Sequence, residues 1–166
     1  MSMTLYSIGH SNVSIEAFLT LLRRYQIRVL VDARSQPYSR YNPHFSRGPL
    51  KRTLEENGMR YVYLGDRIGG KPDDRDFRLD NGRVDFEKLA ASPVYLEGIG
   101  QLISLGKSAT VCFMCAEADF RKCHRYWLIT RTLVQREVVV KHILHSGEVI
   151  SSDQTDFKSR QLNLFT

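Results

Sequence analysis

The sequence predicts an α/β protein, a single domain on a mainly parallel central sheet with helices on both faces. Short apolar runs at Thr4 to Ile8, Arg28 to Val31, Arg60 to Leu64 and Val138 to Ile143, and a fifth opening at Thr110, alternate with stretches of helical spacing. Strands alternating with helices in this way predict a mainly parallel sheet covered on both faces. At 166 residues the chain is long enough to bury one sizeable core, and no internal repeat divides it.

The elements follow in order. After the first strand and Gly9-His10-Ser11-Asn12, residues Ile15, Phe18, Leu19 and Leu22 fall on one helical face, with Asn12 or Ser14 as the cap. The second strand ends at Asp32. Pro49 and Gly58 then bracket a second helix in start and stop positions. The third strand runs into Gly65 and then Gly69-Gly70. Lys71 to Asp85 is polar without a period and reads as a long surface loop. Tyr95, Leu96, Ile99, Leu102 and Ile103 predict a helix stopping at Gly106, although Gly98 and Gly100 oppose it. Val138 to Ile143 is the expected last strand. The domain is expected to span residues 1–150, with residues 151–166 a flexible polar tail carrying a short linear motif.

Composition bounds the function. No apolar run is long enough to cross a bilayer and no signal peptide opens the chain, so no membrane partner is expected. Three cysteines without framework spacing suggest reduced thiols in a cytoplasm. A formal charge of +6 favours an anionic partner.

The chemistry is expected between Thr110 and Trp127 (T-V-C-F-M-C-A-E-A-D-F-R-K-C-H-R-Y-W), where a strand breaks into a polar loop and restarts as a helix with Cys123, His124 and Arg125 in its opening turn. Helix N-termini beyond strand ends are where α/β proteins place ligands. His10, Asp32, Arg34 and Gly69 also follow predicted strands, so they and Cys115 to Arg125 are expected to meet around one crevice at the carboxyl edge. His10, Asp32, Arg34, Cys115, Glu117, Cys123 and His124 are expected to line it.

These residues carry a resemblance. Ile8-Gly9-His10-Ser11, Asp32-x-Arg34-x-x-Pro37-x-Ser39, Leu64-Gly65 with Gly69-Gly70, and Cys115-x-Glu117 leading to Cys123-His124-Arg125 resemble the family catalogued as domain of unknown function 488. The likeness runs in the family's order nearly to Ile143. It implies an α/β fold and a shared site, and leaves the reaction unassigned. Ala33, where a larger aliphatic residue is common in the family, is a departure.

Several chemistries compete for the central loop. Cys115 and Arg121 have the spacing of a cysteine-phosphatase loop, but no glycine turns the backbone N–H groups inward, and Glu117 and Asp119 would repel a phosphate dianion. A persulfide carrier meets the same acids. Cys112 and Cys115 lie three apart on a strand and so face opposite sides, which makes Cys112 a core residue rather than half of a metal or redox pair. Cys115, Cys123 and His124, with His10, could still hold a metal, but their spacing matches no zinc ribbon; neither metal nor cofactor is expected. Cys123 at a helix start could be a nucleophile. Glu117 could activate water or stabilise a developing cation, with Asp32 a second carboxylate and His10, Arg34, His124 and Arg125 orienting substrate. Against this, Glu117 could simply pair with Arg121 or Arg125.

Two stretches point to a substrate and a partner. Residues 34–52 carry Arg34, Arg40, Arg47, Lys51 and Arg52 with no acid, interleaved with Tyr38, Tyr41, His44 and Phe45. Cations track phosphates and rings stack on bases, so this composition suits single-stranded or flipped nucleotides; a plain surface loop with inward aromatics is the alternative. Gln161-Leu162-Asn163-Leu164-Phe165, after a polar tether, closely resembles the pentapeptide by which bacterial replication and repair proteins dock on the sliding clamp. There Gln161 would reach a polar edge and Leu162, Leu164 and Phe165 would fill pockets. The expectation is a cytoplasmic bacterial enzyme acting on damaged or modified nucleotides in DNA, by base release or strand cleavage. A non-catalytic DNA-binding adaptor and a thiol-based phosphatase or sulfurtransferase are the alternatives.

Overall fold

In the computed structural model, which describes residues 3–157, six strands form one sheet in the order β3-β2-β4-β1-β5-β6. The strands are β1 (Thr4–Gly9), β2 (Val29–Asp32), β3 (Arg60–Tyr63), β4 (Val111–Cys115), β5 (Val139–Ile143) and β6 (Val149–Ser152). The first five are parallel, and β6 alone runs antiparallel, against β5. This is the α/β architecture that the alternation of strands and helices predicts.

Helices cover both faces. On one, α1 (Ile15–Arg24) and α2 (Arg47–Glu56) bury Phe18, Leu22, Leu50 and Leu54 against Ile8, Leu30, Cys112 and Met114. On the other, α3 (Gly65–Ile68), α4 (Phe86–Ala90), α5 (Pro93–Ser108) and α6 (Arg131–Gln135) bury Ile68, Leu89, Ile99, Leu102 and Leu133 against Val29, Val31, Val111 and Phe113. The period of two along β2 and β4 divides these sets, at roughly 1.5–3 kcal/mol for each large side chain removed from water. It also sends Cys112 into the core beneath α1 and leaves Cys115 on the other face. Local signals set the helix ends. Ser14 caps α1, its hydroxyl accepting from the Ala17 N–H at 3.1 Å, with Glu16 in the first turn and Arg23 and Arg24 in the last.

Three departures from the sequence reading matter. Gly98 and Gly100 do not break α5; a side chain at Gly98 would overlap Arg67 and Ile68 of α3, so the glycine lets two helices meet. Val139–Ile143 is not the last strand: β6 follows it, and Ser152, inside the segment expected to be tail, is buried with its hydroxyl on His142. Phe157 also packs on Tyr126, ring centroids 4.8 Å apart, so the packed domain continues past residue 150. Residues 161–165, which carry the clamp-like pentapeptide, lie outside the described residues. Among the described residues, no helix is long and apolar enough to cross a membrane.

Candidate active site

The chain steps from β1 over the future place of β4 to β2, and β4 then inserts between them. At such a reversal the loops leaving neighbouring strands diverge and leave a crevice at the carboxyl edge. Backbone bonds tie its rim together: the His10 N–H reaches Cys115 O at 3.0 Å, Ser11 N–H reaches Ala116 O at 2.9 Å, and Ala33 N–H reaches Met114 O at 2.9 Å. Gly9 is required here, because a Cβ would overlap the Glu117 carbonyl that crosses above it. Gly70 packs on the His124 ring in the same way, a Cβ there falling 2.6 Å from the ring.

The cleft, of about 530 Å³, is lined by Arg34, Ser35, Gln36, Tyr38, Gly70 and Lys71 on one side. Ala116, Glu117, Lys122, Cys123, His124 and Trp127 close the other, with Cys115 at the strand end and Phe86 entering from α4. Of the seven residues expected to line one crevice, Arg34, Cys115, Glu117, Cys123 and His124 do so. His10 and Asp32 stand one layer deeper.

That deeper layer is saturated with hydrogen bonds. Asp32 is 0 % exposed and receives Arg34 Nε at 2.8 Å on Oδ1 and Arg34 Nη2 at 2.7 Å on Oδ2. The Tyr61 hydroxyl donates to Oδ2 at 2.5 Å. Asp32 therefore braces Arg34 and does not face the cleft as a second carboxylate. Burial, then the Asp32 charge, pushes the Tyr61 hydroxyl far up, which keeps it a donor. His10, 3 % exposed, bonds Ser11 O through Nδ1 at 2.8 Å and meets Arg34 Nη1 through Nε2 at 3.3 Å. A ring that donates from one nitrogen and accepts at the other is neutral, and burial lowers His10 to about 4. His124 bonds Ala33 O through Nε2 at 2.9 Å, and burial again lowers it to about 4. His124 orders the rim and offers no positive charge at neutral pH.

The central loop departs from the expected helix start. Residues Phe120–Lys122 make a single tight turn, and Cys123 follows in extended backbone. His124 caps a π-helical segment, Arg125–Thr130, in which Thr130 Oγ1 donates to Arg125 O at 2.6 Å. π-Helical turns are rare and gather at functional sites. Here the segment turns Arg125 inward. Its Nη1 donates to Ser7 Oγ at 3.0 Å and its Nη2 to Glu117 O at 3.0 Å. Ser7 Oγ lies 2.5 Å from His142 Nδ1, and His142 Nε2 lies 3.0 Å from Ser152 Oγ. With Arg125 donating to Ser7, the Ser7 hydroxyl donates to His142, whose neutral ring is lowered by burial to about 3.

Cys115 Sγ and Cys123 Sγ are 3.1 Å apart. The hydrogen bond from Cys115, helped by the Arg125 charge and opposed by burial, pulls Cys123 down to about 6; the same shared bond, with burial, drives Cys115 well up. Cys112, fully buried, is pushed up by desolvation. Among the described residues, no group of three or more His, Cys, Asp or Glu side chains is placed to hold a metal ion.

The basic, aromatic loop divides. Phe45 is buried against Phe18 and stacks on His10, ring centroids 4.5 Å apart. Tyr38 and Tyr41 are 71 % and 84 % exposed, and only Tyr38 reaches the cleft. Arg40 lies over the Tyr41 ring at 5.6 Å and Arg47 over Tyr63 at 4.4 Å, both outside the cleft. Arg121 is exposed over Phe120 and does not line it either. Sequence reasoning missed Lys71, Lys122, Phe86 and Trp127 in the cleft, and Ser7, Tyr61, His142 and Ser152 behind it. Lys71, directly after Gly69-Gly70, carried a readable signal; Ser7 and His142, on apolar strands, carried none.

No curated protein and no solved structure matches the chain. The model of the family described as Domain of unknown function DUF488 matches residues 14–132, from the cap of α1 into α6. That span holds every residue named in the cleft, so the chain belongs to this family and its cleft lies within the part of the chain that defines it.

Proposed function

We propose that the protein is a DNA-processing enzyme that takes one damaged or modified nucleotide out of a strand and releases its base, with Glu117 as the working carboxylate. One observation carries the reading: Lys71, Lys122 and Arg34 line the same cleft as the rings of Tyr38, Phe86 and Trp127, and Glu117 lines it with them. Cations hold a phosphate while ring faces hold a base, and a flipped nucleotide needs both within one pocket. Glu117, exposed at the rim, can activate water or stabilise the sugar cation that forms as the glycosidic bond opens. Arg34, held rigid by Asp32, positions the phosphate. Tyr41 and Arg40, exposed beside the cleft, extend the surface along a single strand.

A panel of lesion-bearing oligonucleotides, assayed for base release and for nicking, tests this. Turnover on the best substrate is expected to fall on the order of 100-fold in Glu117→Gln while DNA affinity holds. DNA binding without turnover on any substrate would leave an adaptor; nicking without base release would move the reaction to the phosphodiester.

The same reading assigns Gln161, Leu162, Leu164 and Phe165 to a bacterial sliding clamp, which would concentrate the enzyme on DNA without adding a base contact. A peptide covering residues 159–166 is expected to bind purified clamp in the micromolar range and to lose binding when Leu164 and Phe165 become alanine. Absence of binding by the unaltered peptide removes the clamp from the proposal.

A further inference from the structure

Arg125 is 1 % exposed, and its Nε finds no hydrogen-bond partner. Its other N–H groups meet only neutral oxygens, those of Ser7, Glu117 and Ala118. Among the described residues no carboxylate lies within ion-pair distance of it. A buried guanidinium so placed is costly unless an anion stands close by. His124 and His142, which it also faces, carry no negative charge, and Cys112 is held up by full burial, so the groups left to balance it are the two cleft thiols. Their sulfurs, at 3.1 Å, are farther apart than the roughly 2.05 Å of a disulfide and close enough to share one proton.

We propose that Cys123 and Cys115 form a redox-active dithiol whose substrate is a hydroperoxide, with the Cys123 thiolate as nucleophile and counter-ion of Arg125 and with Cys115 as the resolving thiol. Cys123 Sγ attacks the terminal oxygen of the peroxide. The O–O bond breaks, the alkoxide (or hydroxide) leaves and takes a proton from water, and Cys123 becomes a sulfenic acid. Cys115 Sγ then attacks Cys123 Sγ, and the displaced hydroxide takes the Cys115 proton and leaves as water. Two thiols and one hydroperoxide thus give one disulfide, one alcohol (or water) and one water, and the two electrons come from the sulfur pair. A dithiol reductant returns the pair by exchange. Both cysteines line the cleft; Cys123 is partly exposed and meets a small peroxide directly, while Cys115 is 2 % exposed. The low thiol of Cys123 and the high thiol of Cys115 fit this order of attack. This thiol chemistry needs no nucleotide and does not depend on DNA processing.

The groups that face Cys123 are Cys115 at the end of β4, Arg125, the neighbours Lys122 and His124, Glu117 on the loop, and Arg34 and Lys71 across the cleft. His124, already neutral, does not change charge near pH 6. The full chain, reduced, is treated with hydrogen peroxide and then unfolded, its free thiols are alkylated, and its intact mass and peptides are read. A loss of about 2 Da and a Cys115–Cys123 cross-link are expected, with Cys112 left as the alkylated thiol. Cys115→Ser is expected to stop at a sulfenic acid on Cys123, captured by a cyclic 1,3-dione, and Cys123→Ser to give neither product. Alkylation of Cys123 in the unaltered protein, followed against pH, gives a second readout that needs no variant to fold. Half-maximal rate is expected near pH 6, against roughly 8.5 for an ordinary thiol. Peroxide without a cross-link, dione label on Cys115 instead of Cys123, or a Cys123 midpoint at the ordinary thiol value would each overturn the assignment.

Discussion

Between pH 7.5 and pH 5 the protein is expected to lose roughly 6 kcal/mol of folding stability, about 2 kcal/mol for each of three histidines held neutral, two of them buried and His124 partly so. His10, His124 and His142 are held neutral by burial, at about 4, 4 and 3. Their hydrogen bonds suit the neutral ring: His10 meets Arg34 through a lone pair, and His142 accepts from Ser7 while donating to Ser152. An unfolded histidine takes its proton near pH 6.5. Below that pH the unfolded chain binds protons that the folded chain refuses, so stability is fully present above about 6.5 and falls as pH drops towards 4. Domains of this size are stable by about 5–15 kcal/mol, so acid unfolding is expected near pH 5 and well above the range where carboxylates titrate. Urea denaturation at stepped pH measures it. A stability curve flat down to pH 5 would mean that these rings are charged or solvated in the folded protein.

The same three histidines show how far the sequence could be read. Strand positions, the parallel sheet and the shared carboxyl edge follow from alternation, because apolar runs and helical spacing are properties of neighbours along the chain. The opposite facing of Cys112 and Cys115 follows from the period of two. Depth does not follow. Asp32 ends one strand and Glu117 stands two residues past another, yet the first is sealed under Arg34 and Tyr61 and the second stands at the rim, because only Asp32 has long side chains from β3 and the 34–38 loop folded over it. Arg125 reads as a charge that orients substrate or pairs with Glu117, but the π-helical turn aims it at Ser7, a partner 118 residues away. Lys71 reads as the start of a surface loop and instead reaches the cleft, because Gly70 lets that segment close on His124. β6 hides because it is short, follows a turn at Gly147 and ends in serines whose value lies in bonding His142.

Asp32→Asn is expected to destabilise the folded protein by about 3–5 kcal/mol, since it leaves the Arg34 guanidinium buried without its counter-charge. The carboxylate is fully buried and takes four hydrogen bonds, two from the Arg34 guanidinium, one from the Arg34 backbone N–H and one from the Tyr61 hydroxyl. An asparagine can accept on one oxygen only, and its amide N–H groups would point at a donor. Tyr61→Phe removes a single donor from a charged acceptor and is expected to cost about 1.5–3 kcal/mol. Asp32→Asn/Arg34→Gln removes both charges together, so its loss should be smaller than the sum of the single losses by about 1–3 kcal/mol. That coupling separates the two roles open to Asp32. A carboxylate that activates water would tolerate asparagine in the folded state and lose turnover alone. A carboxylate that braces Arg34 loses stability first, and any activity lost with it returns in part when Arg34 is also neutralised only if the arginine serves the fold more than the substrate. Chemical denaturation of the unaltered protein, Asp32→Asn, Arg34→Gln and the double variant, followed by turnover on one substrate, distinguishes these. If Asp32→Asn unfolds at the same denaturant concentration as the unaltered protein, the Asp32–Arg34 pair is not what holds the cleft wall in place.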